Sequence, residues 1–249
     1  MSGSPFLIEN LNVSESWLSA IQKTTEDGGK EITPLVVTLT DFSETERVRK
    51  ALDFHLLTRK KLSIDTVSET IFPWSLYEYC QFDREKFYKA YNKNLPRIKK
   101  IDAHRNASGT YFERMIAYER NPIKINQLEN VITSLLNNRS VRRSKLQISI
   151  FDPTKDHINE PYQSFPCLQH VTFHRSKNGG LVLNSFYAIQ YLFKKAYGNW
   201  LGLVLLGKFV AREVGLEFER LNCFIGVEQL DTLTKGEAKK IISEITGRR

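Results

Sequence analysis

In Phe165-Pro166-Cys167-Leu168-Gln169 a cysteine directly follows a proline and directly precedes a run that reads as a strand. Proline fixes its own φ, and the start of a strand is a rigid mount, so a thiol there can be held for nucleophilic attack. Arginines nearby would lower its pKa and enlarge the thiolate fraction. Cys80 and Cys223 lie far from it in the chain and fit small buried apolar side chains. With no CxxC pair and no zinc spacing, the three cysteines are expected to be free thiols in a reducing cytosol. His170 and His174 share one face of the strand near Cys167, but no third ligand is spaced to complete a site, so no metal is expected. Phe72, Trp74, Tyr77 and Tyr79 could line a ligand pocket, fill a core or cover a dimer interface.

The elements that must carry these side chains follow from periodicity. Ser14 is placed to cap a helix over residues 15–23, Gly28-Gly29 mark a turn, and residues 35–39 read as a buried strand. Val48, Leu52, Leu56 and Leu57 recur at helical spacing, predicting a helix over 45–60. A further helix is predicted over 82–94, stopped by Pro96. Leu128, Val131, Ile132, Leu135 and Leu136 fall at i, i+3, i+4, i+7 and i+8, the signature of an amphipathic helix over 125–136. Residues 146–151 read as a half-buried strand. Residues 168–174 and 181–187 read as two strands joined through Ser176-Lys177-Asn178-Gly179-Gly180, a hairpin turn by its Asn and Gly. A helix over 201–214 ending at Gly215, a strand over 221–227 and a charged C-terminal helix complete the chain. The class is mixed α/β (α+β), a mixed sheet packed with helices in one domain spanning 1–249.

Composition narrows the functions. The chain is 41% hydrophobic and 26% charged, as a globular protein is, and no apolar run nears the roughly 18 residues of a membrane span. The N-terminus lacks the pattern of a secretory leader, so a cytoplasmic location is expected. A net charge of +8 permits contact with anions, but Lys and Arg are spread along the chain and no nucleic-acid-binding motif accompanies them. Neither nucleic acid nor membrane is an expected partner.

Several blocks, in order, resemble the thymidylate synthase family, and the pyrimidine hydroxymethylases related to it. They are Thr70-Ile71-Phe72-Pro73; Gly109-Thr110-Tyr111-Phe112-Glu113-Arg114; Asn126-Gln127-Leu128-Glu129-Asn130-Val131-Ile132 followed by Arg142-Arg143 and Phe151-Asp152-Pro153; Phe165-Pro166-Cys167; and Gly198-Asn199-Trp200-Leu201-Gly202-Leu203. The matches span residues 65–231, between an N-terminal part over 1–64 and a charged helix and tail over 232–249. The resemblance implies that Cys167 adds to carbon 6 of a pyrimidine ring, making carbon 5 nucleophilic toward a one-carbon unit from methylene-tetrahydrofolate. It implies that Asn199 reads the ring edge, that Gln169 lies at the substrate, and that Tyr111 supports the cysteine. It further implies a two-fold homodimer in which Arg142 and Arg143 reach an anion in the neighbouring site.

Departures from the family pattern are equally specific. Its phosphate-gripping Arg-Ser-x-Asp run aligns with Ala188, Ile189, Gln190 and Tyr191, and its sugar-binding His-x-Tyr with Glu228-Gln229-Leu230. Leu168 follows the cysteine where many members have His. The family's catalytic glutamate has no clear counterpart, and Asp53 is the nearest acidic candidate. The chain ends about eighteen residues after Asp231, without the strand structure that precedes the family's closing residues, so folate closure of that kind is not expected. Two expectations follow: a one-carbon transferase on a pyrimidine or related ring other than plain deoxyuridylate, or a dimeric paralogue, altered or inactive in catalysis, with a ligand-binding or regulatory role.

Overall fold

The protein is described here from a computed structural model, over residues 5–9, 11–26, 30–101, 106, 108–120, 122–138, 140–159 and 166–247. Gly28, Gly29, Phe165 and the Arg248-Arg249 tail lie outside them. In chain order the elements are β1 (Phe6–Glu9), α1 (Val13–Glu26), β2 (Glu31–Ile32), β3 (Leu35–Leu39), α2 (Glu46–Thr58), α3 (Ile64–Ile71), α4 (Trp74–Tyr79), α5 (Arg84–Ile101) and α6 (Tyr111–Ile116). There follow β4 (Tyr118–Arg120), β5 (Ile123–Ile125), α7 (Gln127–Asn137), a 3-10 turn (Arg143–Lys145), β6 (Gln147–Ser149), α8 (Pro153–Asp156), β7 (Leu168–Arg175) and β8 (Leu181–Tyr191). A π-helical turn (Leu192–Ala196), α9 (Tyr197–Glu213), β9 (Phe218–Gln229) and α10 (Lys235–Thr246) complete them. This is the mixed α+β architecture expected.

Seven strands form one mixed sheet in the order β1-β3-β9-β8-β7-β6, with β2 also pairing β9. β1 runs parallel to β3 and β8 parallel to β9, and the other pairs are antiparallel. β7 and β8 form the hairpin that Asn178-Gly179-Gly180 signals; Gly179, at φ +94°, occupies backbone that an L side chain rarely adopts. α9 is apolar nearly all round, as a central buried helix must be. Gly198 and Gly202, four residues apart on it, admit α3. A Cβ on Gly198 would lie 2.6 Å from the Val67 Cβ, and one on Gly202 2.7 Å from the Ile71 Cβ. Phe72, at the end of α3, then joins Phe87, Phe112 and Phe209 in the core, with ring centroids 4.9–5.6 Å away. Of the predicted aromatic group, Phe72 and Tyr77 are core residues and Trp74 packs against them, whereas Tyr79 is exposed.

At the sheet's outer edge, β6 is three residues long. The Gln127 side chain bonds it like a strand: Nε2 donates to the Ser149 carbonyl at 2.8 Å and Oε1 accepts from the Ser149 amide at 3.0 Å.

Several boundaries differ from the periodicity. The helix predicted over 82–94 begins at Arg84, because Gln81 and Phe82 adopt positive φ, and it continues through Pro96 to Ile101. Pro96 and Asn92 are both exposed, so water can reach the Asn92 carbonyl that the proline leaves without a donor. Ser14 lies within α1 rather than at its cap. Its hydroxyl accepts from the Thr45 amide at 2.8 Å and pairs with the Tyr197 hydroxyl at 2.7 Å, tying α1 to α2 and α9. α9 starts at Tyr197 rather than residue 201, so Asn199 is a helical residue in its first turn. α10 is amphipathic, burying Ala238, Ile241 and Ile245 against α1 and α2.

Gly198→Ala tests the α3–α9 contact. The added methyl should lower stability by about 1–3 kcal/mol through overpacking, read as a lower midpoint in thermal denaturation, whereas Gly236→Ala, where a Cβ meets only a hydroxyl 4.0 Å away, should be near neutral.

Candidate active site at Cys167

Three neighbouring strands break their alternation at one level of the sheet. In β7, Val171 and Phe173 face the core, but so does Leu168, with a register shift between Leu168 and His170. In β8, Leu183, Ser185 and Tyr187 are buried and then Gln190; in β9, Leu221, Cys223 and Ile225 are buried and then Glu228. A strand with period two cannot bury both sets on one face without an irregularity. Gly226 lies at this level, where a Cβ would come within 2.8 Å of the Ala188 carbonyl oxygen. The slip lets polar side chains enter what is otherwise the apolar face.

Cys167, half-buried, precedes this break, and its carbonyl accepts from the Ala188 amide at 3.1 Å. Tyr111 stands at the first turn of α6, fixed by a capping box in which the Thr110 hydroxyl accepts from the Glu113 amide and the Glu113 carboxylate from the Thr110 amide. Its hydroxyl faces the backbone amides of Leu168 and Cys167; burial raises its pKa above the usual tyrosine range although those amides oppose the shift. Tyr111 and Cys167 are therefore brought together.

Burial pushes the Cys167 pKa up, and the opposing positive field comes from Lys195 and Lys194 in the π-helical turn. Desolvation outweighs the two lysines. Lys194 is itself engaged by Asp231 at 3.0 Å and lies over the Tyr191 ring at 4.1 Å. Burial also holds the Cys223 thiol at about 12, which fits an inert core residue.

In the stretch aligned with the family's phosphate run, Ala188, Ile189, Gln190 and Tyr191, neither an arginine nor a serine falls. Glu228 is wholly buried, neither carboxylate oxygen has a hydrogen-bond partner, and burial raises its pKa well above 4.5. Gln190, its register partner across β8 and β9, is 2% exposed with both amide atoms unpartnered, and the Tyr187 hydroxyl is likewise buried and unpartnered.

The remaining predicted residues are more dispersed. Asn199 is buried in α9. Gln169 is the irregular residue of β7, and its carbonyl accepts from the Ile150 and Phe151 amides at 2.9 and 3.1 Å. Asp53 accepts from the Ile64 amide at 2.8 Å, capping α3. Arg142 and Arg143 are exposed beside the edge strand β6, without an ion pair among the described residues. The described residues hold no group of three or more His, Cys, Asp and Glu side chains arranged for a metal, and no helix among them is long and apolar enough to cross a membrane. Lys194 and Lys195 escaped the sequence reading; two lysines interrupting the apolar stretch before Tyr197 were the available signal.

Comparison with known family models finds no match. A Methanocaldococcus jannaschii protein named "Putative thymidylate synthase" is 28% identical over 142 residues, 54% of this chain and 58% of that protein. The chain thus matches less than two thirds of the relative's length, and the likeness supports a thymidylate-synthase-like protein in general terms.

Glu228 yields a prediction for stability. Its folded-state pKa is raised, so the folded protein holds a proton that the unfolded chain releases above about pH 4.5. Stability should fall as pH rises through that window, by about 1.4 kcal/mol per unit while the proton difference persists. Glu228→Gln removes the titration, so its advantage in urea unfolding should widen from pH 5 toward pH 8.

Proposed function

We propose that the protein is a thymidylate-synthase-like one-carbon transferase that methylates or hydroxymethylates a pyrimidine or related ring through Cys167, on a substrate other than plain deoxyuridylate. The observation that carries this reading is the placement of Cys167: a half-buried thiol at the start of a broken strand, with the Tyr111 hydroxyl on its backbone amides and the fields of Lys194 and Lys195 opposing its desolvation. The thiolate would add to carbon 6 of the ring and leave carbon 5 as the nucleophile, splitting one difficult substitution into easier steps. Asn199 and Gln169 are proposed to contact the ring and Tyr111 to hold the cysteine strand. Asp53, the acidic candidate, is occupied in capping α3.

Methylene-tetrahydrofolate, when bound, supplies an electrophilic methylene group. A pterin ring carries an amide edge, and the unpartnered amide of Gln190 and carboxyl of Glu228 fit such an edge by donor chemistry. The stretch that aligns with the family's phosphate grip, Ala188, Ile189, Gln190 and Tyr191, offers neither arginine nor serine to a 5′-phosphate. A second reading, a catalytically altered or inactive paralogue, is favoured by the raised thiol pKa.

Alkylation separates the two. With iodoacetamide, Cys167 should react before Cys80 and Cys223, which are 8% and 0% exposed, and its rate should keep climbing to pH 9 and beyond. Lys195→Met should slow that reaction about threefold to tenfold near pH 8 by removing a nearby positive charge. Cys167→Ser should leave the fold intact and abolish transfer of labelled methylene to candidate pyrimidines. Slow, equal labelling of all three thiols would favour the paralogue.

A homodimer is proposed through the sheet face opposite the core. There Phe186 and Phe224 stack at 5.6 Å while 38% and 42% exposed, beside a polar ladder linking Thr172, Asn184, Asn222 and Thr38. That face should bury more than about 1,000 Å², and Arg142 and Arg143 are proposed to reach the partner's site. Equilibrium sedimentation at micromolar concentration should show a dimer, and Phe224→Glu should shift it to monomer.

A further inference from the structure

Toward one end of two adjacent strands stand five buried side-chain atoms without a hydrogen-bond partner: the Tyr187 hydroxyl oxygen, Gln190 Oε1 and Nε2, and Glu228 Oε1 and Oε2. Buried polar atoms are nearly always paired, and each orphan is costly. Gln190 and Glu228 are direct register partners on parallel strands, both buried on the core face, so their side chains stand side by side. Their strand backbone runs near that of Cys167. The Cys167 carbonyl bonds the Ala188 amide, and Gln190 is two residues further along β8, about 7 Å on. The Tyr187 hydroxyl lies within electrostatic reach of both Cys167 and Glu228.

We propose that Gln190 and Glu228, with the Tyr187 hydroxyl as a third contact, form the recognition site for the uncharged cyclic amide edge, –CO–NH–, of a heterocyclic ring bound next to Cys167. The glutamine amide supplies one donor and one acceptor. Glu228, kept neutral by the apolar surroundings that leave it without a counter-charge, supplies an O–H donor and a carbonyl acceptor. A ring N–H and its adjacent C=O need that alternating set, and an anion does not. The site therefore selects a neutral heterocycle and disfavours a phosphate. The proposal deepens the ring-transfer reading and rests on it only for the identity of the neighbouring nucleophile. The same edge occurs on a pyrimidine substrate and on the pterin of a one-carbon donor, and binding distinguishes them.

The test is calorimetric titration of the full chain carrying Cys167→Ser with uridine, 3-methyluridine, deoxyuridylate and 6-methylpterin. Uridine should bind, its 3-methyl derivative should bind at least roughly tenfold more weakly (about 1.4 kcal/mol), and deoxyuridylate should gain nothing from its phosphate. Added to that chain, Glu228→Leu and Gln190→Leu should each weaken binding by a similar factor, with circular dichroism and melting verifying the fold. Glu228→Gln, which keeps one donor and one acceptor, should stay within about threefold. Pterin binding lost in the same leucine variants, with uridine indifferent to them, assigns the edge to the pterin and supports the site equally. Overturning results are unchanged binding in both leucine variants, equal binding of 3-methyluridine and uridine without pterin binding, Glu228→Gln failing as badly as Glu228→Leu, or no binding of either ring at about 10 mM. Failure of the transfer reading looks different: this binding pattern intact, with no turnover by the parent protein.

Discussion

The shared break in alternation across β7, β8 and β9 is the constraint on which the rest of the site depends. A regular strand alternates faces, so a core face that begins with Val171, Tyr187 or Ile225 would continue apolar to the strand's end. Because all three strands slip at the same level, the hydrogen-bonded register between β8 and β9 survives on both sides of it, Tyr187 opposite Ile225 and Gln190 opposite Glu228. The core is thereby divided. Below the slip lie Leu183, Leu221 and Cys223, and at it stand a thiol, a phenol, an amide and a carboxyl. Gly226 is what permits the strands to approach there, since any side chain would meet the Ala188 carbonyl.

Helix packing holds the slip in place from one side. α9 is anchored by its glycines against α3 and follows directly from the π-helical turn that carries Lys194 and Lys195. The electrostatics at Cys167 are thus set by where α9 sits. Two lysines bear on the thiol there, and they do not offset its desolvation. Tyr111 reaches the same strand from another helix whose start is fixed by its own capping box. Strand, turn and α6 arrive from distant parts of the chain, and each is locally specified.

Much of this was legible from local chemistry. The 3.6-residue period of Leu128, Val131, Ile132 and Leu135 located α7, and the Asn-Gly-Gly turn located the β7–β8 hairpin. Short helices carried weaker periodic signals. α3, α4 and α6 are six to eight residues long, too short for a periodic face, although Thr110-x-x-Glu113 is a capping box that could have announced α6. Pro96 misled because its helix-breaking effect depends on whether water can reach the freed carbonyl, which is a tertiary fact. The pairing of Gln190 with Glu228 could not be read at all: it depends on strand register between segments 38 residues apart, and on a slip that reverses which side of the strand is buried.

The small device at β6 has a wider consequence. A sheet that ends in a bare strand offers its backbone to any passing chain, and such edges seed uncontrolled polymerisation. Here the Gln127 amide already occupies the Ser149 donor and acceptor, imitating one rung of a further strand. The sheet cannot readily grow sideways at that rung. A single glutamine at the start of α7 thus closes one rung of this sheet edge to a further strand.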